Sequence, residues 1–197
     1  MGKEPKIPSS ALESYNHDIS KGPIPELVLK CYEKGTSGLD KLLTEDGETI
    51  MFFWKYHNKL SGWESEFREG GPEGTIICRV KKGLSSSFVL SLPDGKEAEG
   101  VTTGHSIARE FVSPFSGTRY KWKNVGIPGQ GANLALVDVG VPEEKTIVAA
   151  WDAYSKLGSG KNGTLRINRD RLDDLEIICA TALAMQAIEY SRQGGLV

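Results

Sequence analysis

One stretch of this 197-residue chain restricts what the rest can be: Arg171 to Gln193, RLDDLEIICATALAMQAIEYSRQ. Between Leu175 and Ile188 only Glu176, Thr181 and Gln186 are polar. At about 100° per residue they fall on separate faces of a helix, so no solvent-facing stripe forms. A helix apolar all round is buried in protein or in lipid. The run of 14 residues, Leu175 to Ile188, reaches roughly 21 Å, short of a hydrocarbon layer of about 30 Å. Its ends suit a soluble helix: Asp170 as N-cap, Asp173 and Asp174 in the first turn, Arg192 in the last, Gly194-Gly195 as the stop. Ala180, Ala184 and Ala187 recur at i, i+4 and i+7, where other chain can approach closely. The reading is a helix surrounded by the rest of its own protein.

That rest is a succession of short strands. Twenty-three glycines against nine prolines signal many tight turns. Apolar or alternating runs cover Leu27 to Glu33, Thr49 to Tyr56, Trp63 to Phe67, Thr75 to Lys81 and Ser86 to Leu92. They continue over Ile107 to Val112, Thr118 to Val125, Asn133 to Val139, Thr146 to Asp152 and Gly163 to Asn168. Leu39, Leu42 and Leu43 suggest one amphipathic helical turn. Strands do not alternate with helices, which argues against a parallel Rossmann-type sheet. A closed antiparallel barrel removes sheet edges and supplies a lumen for the greasy helix. Residues 1–25, with Pro5, Pro8, Pro23 and Pro25 among polar residues, read as a flexible arm before a barrel domain over 26–197.

Strand order and terminal helix together resemble the tubby-like superfamily, which includes tubby C-terminal domains, phospholipid scramblases and LURP-one-related proteins. Glu110 to Asn124 (EFVSPFSGTRYKWKN), the strand Leu134-Ala-Leu-Val, and the helix opened by Arg171-Leu172-Asp173-Asp174 are similar to an uncharacterised fungal domain family of that superfamily. The resemblance implies a mainly β fold: a closed barrel of about a dozen strands around a central C-terminal helix. It carries over no established activity, so no residue is marked as catalytic by it.

The chemistry is sparse. Gly158-Ser-Gly-Lys-Asn162 and Gly129-Gln-Gly131 lack the remaining positions of nucleotide loops. Gly104-His-Ser-Ile-Ala108 lacks the final glycine of a nucleophile elbow. His17, His57 and His105 have no metal-ligand spacing. Three separated cysteines, Cys31, Cys78 and Cys179, read as buried free thiols. A net charge of −2 gives no pull toward nucleic acid. Neither cofactor nor metal is expected, and with no apolar leader the expected address is the cytosol.

One pattern invites a ligand. In Arg119-Tyr-Lys-Trp-Lys123, strand alternation puts Arg119, Lys121 and Lys123 outside and Tyr120 and Trp122 inside. Arg79, Lys81 and Lys82 add to this outer row if their strands come near. By resemblance to tubby domains, such a row binds an acidic phospholipid head group, placing the protein peripherally at membranes. The expected function is therefore a non-catalytic binding module. The alternatives are a protein-interaction domain without lipid binding, and a small-molecule carrier or enzyme using a pocket at the barrel mouth.

Overall fold

The computed structural model describes residues 26–34, 39–59, 62–82, 87–102, 108–124, 134–140, 147–153 and 161–192. The expected arm, the glycine-rich segments around 104, 129 and 158, and the Gly194-Gly195 stop lie outside the described residues.

Twelve strands follow in order: β1 (Glu26–Lys34), β2 (Asp40–Thr44), β3 (Phe52–Lys59), β4 (Gly62–Glu69), β5 (Ile76–Lys82), β6 (Phe88–Ser91), β7 (Glu97–Thr102), β8 (Arg109–Val112), β9 (Arg119–Asn124), β10 (Leu134–Asp138), β11 (Ile147–Ala153) and β12 (Lys161–Asn168). Each pairs antiparallel with its sequence neighbours, and β1 pairs with β12 to close the barrel. A 3-10 segment, Arg169–Asp174, leads into the α-helix α1, Leu175–Arg192. The mainly β barrel with a C-terminal helix is as expected from sequence. Eight strands make a barrel that side chains fill; twelve leave room for a helix of about 10–12 Å diameter.

Two details differ from expectation. Leu39, Leu42 and Leu43 belong to a strand, β2, not a helical turn, because closure needs a partner between β1 and β3. β7 has no apolar run to announce it. Its inward positions are Ala98 and Gly100, and a Cβ on Gly100 would stand 2.3 Å from the Phe88 ring. Phe88 occupies the space that β7 leaves empty. Gly163 plays the same part on β12, where a Cβ would meet Trp151 at 2.7 Å.

The core is the helix and the inward positions of the wall. Ile177 to Met185 is buried without interruption, and against it pack Leu29, Phe67, Phe88, Trp122, Trp151 and Leu165, among others. Thr181, the one polar residue midway along the helix, is bonded on both sides. It accepts from Trp122 Nε1 at 3.0 Å and donates to the Ile177 carbonyl at 2.7 Å. Cys31, Cys78 and Cys179 are free and buried. Burial pushes the Cys31 thiol up to about 12 and raises the other two as well.

Candidate functional site

The barrel has two mouths, named by the end of α1 that each surrounds. At the N-terminal mouth the chain crosses from β12 to the lumen through the 3-10 segment, which bends at Arg171 (φ −121°, ψ 23°). Asp170 is not the helix N-cap expected from sequence; Asn168 caps the 3-10 segment by accepting from the Asp170 N–H at 3.0 Å. The helix itself is anchored by Asp174, 2% exposed. Its carboxylate accepts from the Ser113 and Ser116 hydroxyls, both at 2.5 Å, and from the Tyr120 hydroxyl at 2.7 Å. Three donors from the β8–β9 turn and β9 thus hold a buried acid at the positive end of the helix dipole. Burial, with Asp174 beside it, pushes the Tyr120 phenol up to about 12. Arg171 pairs with Asp138 at 3.0 Å across the same mouth. In the turns around it Asp46, Glu48, Glu69 and Glu73 are exposed, and Glu45 and Asp94 pair there with Arg169 and Lys96.

The six cations singled out from sequence do not form one row. Arg119, Lys121 and Lys123 lie outward on β9 with Tyr120 and Trp122 inside, as alternation predicts. Arg79 and Lys81 lie outward on β5. Between β5 and β9 stand β6, β7 and β8, a wall distance of about 19 Å at about 4.8 Å per strand. Glu97 and Glu99 on β7 are exposed between them. Lys82 is not in an outer row at all. It shares the inward phase of Cys78 and Val80, because adjacent residues of a strand cannot both face out.

Both outer groups meet carboxylates. Glu110 on β8 lies 3.9 Å from Arg119 and 3.6 Å from Lys121. On β4, Glu64 pairs with Lys59 and, at 3.9 Å, with Lys81. Glu66 pairs with Arg68 at 2.6 Å and Arg79 at 3.6 Å. A hydrogen bond from Lys59 depresses the Glu64 carboxyl and one from Arg68 depresses Glu66, so both are charged at neutral pH. Each of these two acids therefore serves two cations, and Lys55, opposite Glu66 in the ladder, adds a fifth. The outer face of β3–β5 is net positive. Alternation in Phe52 to Lys59 could have revealed Lys55 and Lys59, but cross-strand pairing with β5 could not be read from sequence.

The C-terminal mouth has a different interior. Tyr56 on β3 and Trp63 and Ser65 on β4 face inward; Ser65 is Tyr56's register partner, and the Tyr56 and Trp63 rings are 5.9 Å apart. Tyr56 Oη, Trp63 Nε1 and Ser65 Oγ are all buried and have no hydrogen-bond partner among the described residues. A buried polar group left unbonded costs about 1–3 kcal/mol. Burial also pushes the Tyr56 phenol up to about 12. Lys82 is the register partner of Trp63, and Arg109, at the start of β8, is 1% exposed. Burial, then the Arg109 charge, lowers the affinity of Lys82 for its proton. The sequence signal for these residues is a polar side chain on an inward phase: Ser65 between Trp63 and Phe67, and Arg109 in step with Phe111.

Among the described residues no group of His, Cys, Asp or Glu could hold a metal ion, and no helix is long and apolar enough to cross a membrane. The geometry defines a closed barrel sheathing its own helix, fastened at one mouth and lined at the other by buried polar groups left unbonded among the described residues. Comparison with family models, curated proteins and solved structures gives no match for this chain.

Proposed function

We propose that this chain is a tubby-like, non-catalytic binding module that docks peripherally, in the cytosol, on an anionic lipid surface. The docking face is the outside of β3–β5. One observation carries this reading: among the described residues, Lys55, Lys59, Arg68, Arg79 and Lys81 share the outer face of β3–β5 with two acids, Glu64 and Glu66. Arg119, Lys121 and Lys123 form a smaller second patch on β9, where Glu110 pairs with Arg119 and Lys121. The family resemblance through Glu110 to Asn124 and the helix-filled barrel support the same reading. A barrel whose outer strands carry these charges at mid-strand has no apolar band for lipid tails, so the contact is with head groups.

Each basic residue near an anionic surface contributes about 1 kcal/mol. Sedimentation with phosphatidylserine or phosphoinositide vesicles at low salt should show binding that fades as salt rises. Neutralising two cations, Arg79→Gln with Lys81→Gln, should weaken it roughly thirtyfold. Undiminished binding by that variant, or indifference of the parent protein to acidic lipid at low salt, overturns the reading and favours a protein partner.

A further inference from the structure

Two adjacent strands hold three buried, unpartnered polar groups at one end of the lumen, beside two cations. Tyr56 and Ser65 are direct neighbours across β3 and β4, and Trp63 stands two residues from Ser65 on the same inward face. On the other side of Trp63 is Lys82; Arg109, buried at the same end of β8, donates to the Ala108 carbonyl at 3.0 Å, and its charge is felt at Lys82. An indole N–H, an ammonium and a guanidinium only donate, and both hydroxyls are free to donate. The complement of such a set is an acceptor-rich anion. The wall that bears it is aromatic: Trp54 meets Trp63 at 6.0 Å and Trp63 meets Tyr56 at 5.9 Å.

The helix opposite offers a small side chain. Burial raises the Cys78 thiol, and Glu176 is close enough to β5 to add to it. Ala187, 11 residues further on, stands about 20° from it round the helix, on the same stripe but three turns nearer the C-terminal mouth. Glu189 stands about 200° round from Ala187, on the far side. We propose that the C-terminal mouth binds a small apolar acid. Its carboxylate or phosphate lies by Lys82 and Arg109 and accepts from Trp63 and the Ser65 or Tyr56 hydroxyl, while its apolar part rests on the Tyr56 and Trp63 rings.

The test is a titration of the full chain with octanoate and octyl phosphate as monomers, with octanol as the uncharged control. The readout is the Trp63 indole N–H resonance, assigned by its loss in Trp63→Phe. Both acids should move that resonance saturably, and octanol should not. Lys82→Gln should weaken the affinity about tenfold, with Lys96→Gln, an exposed residue at the other end, unchanged. Ser65→Ala gives the sharper result: the ligand-free protein should become more stable, since a buried unbonded hydroxyl is gone, while binding weakens. A resonance indifferent to both acids at millimolar concentration overturns the proposal. So does octanol matching the acids, undiminished binding by Lys82→Gln, or a Ser65→Ala variant that is less stable. Phosphatidate vesicles identify the source: a shift with vesicles assigns the oxyanion to a membrane lipid, and a shift with monomers alone to a soluble acid. This site fails or stands independently of the docking face, which is read by Arg79 and Lys81 variants in sedimentation.

Discussion

The two mouths of the barrel solve the same problem in opposite ways. Both must end a greasy lumen where the chain meets water, and both place polar side chains on inward positions to do it. At the N-terminal mouth the polar groups bond one another: Asp174 takes three hydroxyl donors and Asp138 takes Arg171. At the C-terminal mouth, among the described residues, Tyr56, Trp63 and Ser65 leave buried polar atoms unbonded beside Lys82 and Arg109. Saturated polar contacts hold an element in one place, whereas unsatisfied ones are costly unless something else completes them. The first mouth fastens the helix, and the second is equipped to receive a ligand.

Variants can break or sharpen this contrast. The largest effect is expected between the mouths, where Ala184→Glu puts an unpaired carboxylate against a wall with no room for it; the product should be insoluble or unfolded, as solubility and circular dichroism would show. Next comes Asp174→Ala, which orphans three donors at the N-terminal mouth and should lower unfolding free energy by about 3 kcal/mol or more in urea titration. Ser65→Ala at the other mouth should act in the opposite direction, by about 1 kcal/mol. If both variants are destabilised alike, the mouths do not differ as described.

The smallest effect separates two tyrosines by pH. Tyr56 and Tyr120 both have phenols raised from 10.0 to about 12. In each case the folded state keeps its proton longer than the unfolded state. The resulting stabilisation is complete below pH 10 and is lost as pH rises from there through about 12. Tyr120→Phe should cost about 1 kcal/mol at pH 7, because Asp174 loses a donor, and should flatten the alkaline decline. Tyr56→Phe should flatten the decline at no cost at neutral pH. Urea midpoints across pH 7 to about 12 distinguish the two.

Much of the architecture was legible in the chain. Leu175 to Ile188 had to be sheathed because it offers water no face, and alternation in Arg119 to Lys123 placed Tyr120 and Trp122 inside. The same alternation, followed one residue further on β5, would have put Lys82 inside. β7 was illegible because its inward residues are small, and they are small only because Phe88, on the neighbouring strand, fills the space.

The sequence by itself determined that an all-apolar helix lies inside a shell of antiparallel strands, since burial of that helix and pairing of strand edges follow from local pattern. Only the tertiary structure decided which side chains from distant positions meet. It brought Ser113, Ser116 and Tyr120 onto Asp174 across more than fifty residues, divided the cations of β5 from those of β9, and gathered Tyr56, Ser65, Lys82 and Arg109 toward one mouth. Closure and register set those encounters, and they are properties of all twelve strands together, which no single segment encodes.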